Sequence, residues 1–257
     1  MILLKTHNEI AAMRACGKRH AEILAAVSKL AKPGISTAEL DRAVEKMIRA
    51  NNDVPAFLNY KPDGADRPFP KSVCISVNDE IVHGIPADDR ILENGDIVSI
   101  DIGIWHEQDG ARVITDAAVT VPVGKISNEL TDLLATTEEA LRIGILTAKP
   151  GATTGDVGYA IESYVNGKYG IVKEFSGHGV GRKIHEDPYI PNFGKPGMGE
   201  TLVPGMTIAI EPMLNLGKRQ IEMLDDGYTV VTRDGKPSAH FEHTILITET
   251  GSEILTQ

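Results

Sequence analysis

A Lys-Pro-Gly turn, a hydroxyl-rich cap and an amphipathic helix occur twice in this chain. The copies are Lys32-Pro33-Gly34-Ile35-Ser36-Thr37-Ala38-Glu39-Leu40 and Lys149-Pro150-Gly151-Ala152-Thr153-Thr154-Gly155-Asp156-Val157. In each, a threonine, Thr37 or Thr154, is placed to cap the next helix, with Glu39 or Asp156 in its first turn. Another helical pattern precedes each copy, over about residues 8–30 and 128–148. A second echo follows in each half: Leu92-Glu93-Asn94-Gly95-Asp96-Ile97-Val98-Ser99-Ile100-Asp101 against Leu202-Val203-Pro204-Gly205-Met206-Thr207-Ile208-Ala209-Ile210-Glu211, with six residues from glycine to carboxylate in both. Offsets of 117 and 110 residues between the copies predict duplicated halves joined near Val123-Gly124-Lys125. The chain is expected to form one α+β domain over 1–257, with pseudo-symmetric halves of about 1–123 and 124–257. A curved antiparallel sheet would be backed by helices, its acids converging at the seam.

Those acids lie in segments that otherwise read as buried strand: Asp101 in Val-Ser-Ile-Asp-Ile-Gly-Ile, Asp116 in Val-Ile-Thr-Asp-Ala-Ala-Val, Glu211 in Ile-Ala-Ile-Glu-Pro-Met and Glu242 in Phe-Glu-His-Thr-Ile-Leu-Ile. An isolated ionised carboxylate is very costly to bury, so such groups are paired with cations or bound to metal. No Lys or Arg lies within two residues of Asp101, Glu211 or Glu242. Val98, Ile100 and Ile102 alternate with Ser99, Asp101 and Gly103, and Ile208 and Ile210 with Thr207, Ala209 and Glu211. Each carboxylate therefore shares the small, polar face of its strand. Taken singly, each could end its strand at a wet edge; four together point to a shared metal centre.

Composition narrows the class. A chain of 257 residues, 42% hydrophobic and 24% charged, fits a globular enzyme with a sizeable core. The N-terminal segment lacks a basic start and long apolar run, and nothing approaches a membrane span of about 18 apolar residues, so a cytoplasmic location is expected. Cys16 and Cys74 do not make a disulfide framework. A net charge of −10 works against general nucleic-acid affinity. The basic pairs Arg182-Lys183 and Lys218-Arg219 read as solvated loop charge.

One histidine joins the acids: Ser176-Gly177-His178-Gly179-Val180-Gly181 sets an imidazole among glycines that permit close approach. Four carboxylates, one His and no Cys are an oxygen-dominated donor set suited to divalent Mn, Fe, Co or Zn rather than to a structural zinc knot. With these segments, Pro70-Lys71-Ser72-Val73-Cys74-Ile75-Ser76-Val77-Asn78, Val82-His83-Gly84-Ile85-Pro86, His185-Glu186-Asp187-Pro188 and Phe241-Glu242-His243-Thr244 complete a series of motifs in one order. Across almost its entire length the chain resembles type I methionine aminopeptidases, of the pita-bread fold.

That resemblance implies a dinuclear centre, with Asp101 on one divalent ion, His178 and Glu211 on the other, and Asp116 and Glu242 bridging both. It implies hydrolysis of the first peptide bond of nascent chains with a small second residue by a metal-bridging hydroxide, with Glu211 as proton shuttle. His185 would stabilise the oxyanion and His83 would contact the leaving amide nitrogen. Tyr60, Phe69, Cys74 and Tyr228 resemble the family's methionine pocket, Tyr228 standing where Trp is commoner, and Phe57 and Ile184 are weaker candidates for the same wall. The expected partners are the N-terminal Met of nascent polypeptides and the ribosome, and the expected state is a monomer. No Cys cluster precedes the catalytic segment, and only 25 residues separate His185 from Glu211, which favours type I over type II.

Two departures stand out. Asp101 and Asp116 lie fifteen residues apart, four more than the family's usual spacing. Asp109-Gly110 is a good hairpin turn, and an even-numbered extension preserves the face of each side chain, so the ligand set survives it; Asp116 is preferred to the competing Asp109 because Thr115-Asp116-Ala117-Ala118 resembles the family's motif. The segment 61–68 is longer than usual, and is expected either to rim the substrate entrance or to be a plain surface insertion. A proline-directed peptidase of the same fold and a non-catalytic relative are the competing readings.

Overall fold

Alternation along the strands decides which side of the sheet meets the helices. In the computed structural model, which describes residues 2–62 and 64–257, Val98, Ile100 and Ile102 are fully buried against Cys16, Ile23, Leu24 and Val27 of α1 (His7–Ser28) and Leu40, Val44 and Ile48 of α2 (Thr37–Ala50). In the second half Ile208, Ile210, Ile245 and Ile247 pack on Leu133, Leu141 and Ile145 of α3 (Asn128–Thr147) and Val157, Ile161 and Val165 of α4 (Thr154–Val165). Each fully buried aliphatic side chain contributes about 1.5–3 kcal/mol, so these two layers fix the strands' facing. Met1, part of the expected 1–257 domain, and Asp63, in the 61–68 segment, lie outside the described residues.

The sequence echoes are also echoes of hydrogen bonding. Gly34 N–H donates to Leu92 O and Leu92 N–H to Ile35 O; in the second half Gly151 N–H donates to Leu202 O and Leu202 N–H to Ala152 O. Both turn glycines take positive φ, +96° at Gly34 and +84° at Gly151, where a side chain would be strained. The helix caps differ from expectation by one residue. Ser36 and Thr153, not Thr37 and Thr154, are the N-caps, each in a reciprocal capping box with Glu39 or Asp156. The Thr37 hydroxyl is engaged elsewhere, accepting from Ala87 N–H and donating to Ala87 O.

One antiparallel sheet runs through both halves. Its order is Val54–Pro55, Ile97–Gln108, Ala111–Pro122, Glu242–Ile247, Thr207–Ile210, Gly177–Gly179 and Glu186–Ile190, with Cys74–Val77 and Ser252–Ile254 pairing off this path. The sheet remains open, as its two distinct end strands show. The long hairpin pairs without a slip from Ile97↔Pro122 to Gln108↔Ala111, turning on Asp109-Gly110, both at positive φ. The four extra residues therefore lengthen the hairpin and leave its register intact. At the seam, Asp101 pairs with Ala118 and Ala118 pairs with Glu242. This register aligns two acids from different halves across one alanine, on the face away from the helices.

Candidate metal centre

Because side chains alternate, Asp116 lies on the same face as Ala118, hence beside Asp101 and Glu242. Its backbone is held from the neighbouring strand: Thr244 Oγ1 accepts from Asp116 N–H at 2.9 Å and donates to Asp116 O at 2.7 Å. Glu211 follows the Thr207–Ile210 strand, its carbonyl accepting from Asn192 Nδ2. His178 enters from the Gly177–Gly179 strand. A Cβ at Gly177 would lie 2.2 Å from Ala209 O, and one at Gly179 would lie 2.1 Å from Asp187 O, so only glycines allow the strand this close. His178 Nδ1 donates to Gly179 O at 2.9 Å, which leaves the Nε2 lone pair facing the acids.

The geometry is that of a cation site. One ligand atom each from Asp116, His178 and Glu242 lies within 4.8 Å of the others. His178 Nε2 is 3.6 Å from Glu211 Oε1 and 3.9 Å from Asp116 Oδ2, too far for hydrogen bonds. Donor atoms about 2.0–2.2 Å from a shared ion stand roughly 3–3.5 Å apart, close to these separations. Asp101 Oδ1, Asp116 Oδ1 and Glu242 Oε1 are buried without a hydrogen-bond partner among the described residues. No Lys or Arg ion pair reaches any of the four acids among those residues. Orphaned carboxylate oxygens beside an imidazole lone pair are the donor chemistry a divalent cation requires, so the residues fit such an ion.

Burial sets the protonation behaviour. It pushes the Asp101 carboxyl up from 3.8 to about 7, with Glu211 raising it further and His240 opposing. Burial also lifts Asp116, Glu211 and Glu242 well above the ordinary carboxylate range, Asp116 and Glu242 being raised further by neighbouring acids. Conversely it holds the His178 imidazole down to about 3 and His83 to about 4, leaving both neutral at pH 7.

The other expected site residues divide into two groups. His185 stands exposed at the mouth, its ring 4.6 Å from that of His178, with Nδ1 3.0 Å from the Tyr60 hydroxyl. His83, at φ 61°, packs edge-on to Phe175 and feels the charges of His185 and His240. Phe69, Cys74 and Tyr228 form one buried apolar cluster flanked by Phe57, Ala65 and Ile85, with Phe69 edge-on to Tyr228 at 5.2 Å. Tyr60 and Ile184 belong to a different cluster, on the His185 side. Asp109 is exposed at the hairpin tip, seven residues along the strand pair from Asp116.

Sequence reasoning missed three features. His240 is buried with its Nε2 3.5 Å from Glu211 Oε2. It stands two residues before Glu242 across an apolar Phe241, a spacing that could have revealed it. The pair Lys5–Glu186, at 2.6 Å and almost wholly buried, ties the turn after His185 to the N-terminal segment. Arg182, read as solvated charge, pairs with Glu9 at 2.5 Å on the same flank.

Residues 11–249 match metallopeptidase family M24. Methionine aminopeptidase 1 of Bacillus subtilis is 48% identical, covering 100% of both chains. The methionine aminopeptidase of Clostridium perfringens is 46% identical, covering 100% of this chain and 99% of its own. Among solved structures, methionine aminopeptidase from Rickettsia prowazekii superposes with a TM-score of 0.93 at 41% identity over 100% of both chains. The prolidase from Pyrococcus furiosus superposes less closely, with a TM-score of 0.74 at 25% identity, over 99% of this chain and 65% of its own.

Proposed function

This chain belongs to metallopeptidase family M24, and on that premise we propose that it is a methionine aminopeptidase. It removes the N-terminal methionine from polypeptides whose second residue is small. The observation that carries this reading is the convergence of ligand atoms from Asp116, His178 and Glu242, with Glu211 3.6 Å from His178 and Asp101 in register with Glu242 across Ala118, beside a buried apolar cluster.

In this reading Asp101, Asp116 and Glu242 with His178 and Glu211 hold two divalent ions, drawn from Co, Mn, Fe or Zn. Such ions, when bound, acidify water and polarise the scissile carbonyl. The chain's own residues do the rest. Phe69, Cys74 and Tyr228 receive the thioether side chain, which polarizable and aromatic surfaces suit. With the Tyr60 hydroxyl donating to His185 Nδ1, Nε2 carries the ring proton and donates it to the carbonyl oxygen as charge develops there. His83, neutral because it is buried, hydrogen-bonds the leaving amide nitrogen. Glu211 takes a proton from the attacking water and passes it to the departing amine. Action on nascent chains at the ribosome by a cytoplasmic monomer rests on the substrate class alone.

The test is peptide cleavage by the purified protein loaded separately with each of the four metals. Release of Met from Met-Ala and Met-Gly peptides, with Xaa-Pro dipeptides left intact, is the expected result. Hydrolysis of Xaa-Pro dipeptides in preference would move the chain to the proline-directed branch of its family.

A further inference from the structure

Glu211 lies between two imidazoles, only one of which the proposed chemistry uses. Its Oε1 is 3.6 Å from His178 Nε2 and its Oε2 is 3.5 Å from His240 Nε2. His240 is 2% exposed, and neither ring nitrogen has a hydrogen-bond partner among the described residues. A histidine serving only as core filler would normally satisfy at least one ring nitrogen, because a buried orphan N–H or lone pair is costly. Here the polar edge of the ring is turned toward Glu211 and within electrostatic reach of Asp101.

The backbone holds the ring in that direction. His240 ends the Ser238–His240 strand, paired with Met213 two residues beyond Glu211. Its N–H donates to Thr120 Oγ1 at 2.8 Å, and Thr120 Oγ1 lies 2.8 Å from His240 O and from Ser99 Oγ. The ring therefore projects from a strand end anchored to the long hairpin of the other half. Phe241 turns into the helix-facing core, leaving His240 and Glu242 on the side of the acids.

We propose that His240 is a positioning residue for Glu211, donating an Nε2–H hydrogen bond to Oε2 and thereby presenting Oε1 beside His178 as a ligand atom. The inference rests on the metal-centre reading above. A carboxylate free to rotate offers either oxygen and loses the fixed geometry a ligand needs; an outer hydrogen bond selects one. The 3.5 Å separation is about 0.6–0.8 Å longer than a charge-assisted hydrogen bond, a gap that a small rotation of the Glu211 carboxylate closes.

The test compares wild type with His240→Gln, which keeps an N–H donor, and His240→Leu, which keeps volume without one. Mn2+ affinity is measured by titration calorimetry, and kcat and KM with a Met-Ala peptide. His240→Leu is expected to weaken Mn2+ binding by about 10–100-fold and to lower kcat with KM within about twofold, while His240→Gln restores most of both. Mn2+ affinity and kcat unchanged in His240→Leu, or equal losses in both variants, would overturn the proposal. If His240→Leu does not fold, 15N–1H correlation spectra of the wild-type imidazoles decide. An Nε2–H tautomer for His240, assigned by the signal lost in His240→Gln, supports the proposal, and an Nδ1–H tautomer refutes it. A wild type that releases no Met, alongside a drop in Mn2+ affinity in the variant, would fault the substrate assignment and leave the role of His240 standing.

Discussion

Replacing Asp101 by Asn should make the metal-free protein more stable and the metal-loaded protein less so. In the fold, burial raises the Asp101 carboxyl from 3.8 to about 7. A value raised on folding favours the folded state fully below 3.8, and that contribution is lost as pH rises through about 7. The gap corresponds to about 4 kcal/mol at pH 8 and to about 0.6 kcal/mol at pH 4. Asn keeps the shape and removes the charge, which also relieves Asp116 and Glu242, both raised by Asp101. A buried amide returns part of the gain, so about 2–4 kcal/mol remains, a rise in Tm of roughly 5–15 °C for a chain of this size. With Mn2+ at 1,000 times its Kd the order reverses, since the ion then stabilises the wild type by about 4.1 kcal/mol. Thermal unfolding of both proteins in EDTA at pH 4 to 8, and with Mn2+ at pH 8, measures all of this. An Asp101→Asn protein less stable than wild type in EDTA at pH 8, or a gain that does not grow with pH, would refute the electrostatic argument.

The lengthened hairpin gives a direct comparison: Asp116→Ala should lose more activity than the roughly 100-fold typical of removing an outer partner, whereas Asp109→Ala, at the exposed tip, should keep near-normal kcat. Arg67 is latched to the buried apolar cluster, since the Tyr228 hydroxyl donates to Arg67 O and Arg67 donates to Asp226 O at 3.0 Å. Losing a hydrogen bond worth about 1 kcal/mol in Tyr228→Phe should raise KM for Met-Ala about fivefold with kcat little changed, and an unchanged KM would separate the latch from the pocket. Lys5→Met breaks a buried pair at a cost of about 3–5 kcal/mol, so Tm should fall by roughly 6–20 °C, with scanning calorimetry as the check.

Strand parity carried most of the site. Asp101 could be assigned to the polar face from Val98, Ile100 and Ile102 alone, since a two-residue period leaves no other choice once the aliphatics are buried against α1 and α2. The same rule made an even-length hairpin extension harmless, and the register carries Asp116 to that face through twelve uninterrupted pairs. The caps were legible to within one residue: Ser36-Thr37 and Thr153-Thr154 each offer two adjacent hydroxyls, and the second of each pair is engaged by a distant backbone group, Ala87 for Thr37 and Glu200 N–H for Thr154.

What stayed hidden depends on contacts between distant segments. Lys5 and Glu186 are 181 positions apart, and nothing local marks either as buried. The proposed methionine pocket was hidden in the same way, since Tyr60 and Phe69 are near neighbours in sequence yet serve different clusters. His240 is the instructive intermediate case. Its two-residue spacing from Glu242 was in plain sight, but a histidine beside a strand of aliphatics reads as core until a partner is known. Only the pairing of His240 with Met213, two residues beyond Glu211, brings Oε2 of Glu211 to its ring. Each half supplies acids whose burial is unfavourable alone, so the cation that relieves them also favours the halves being joined.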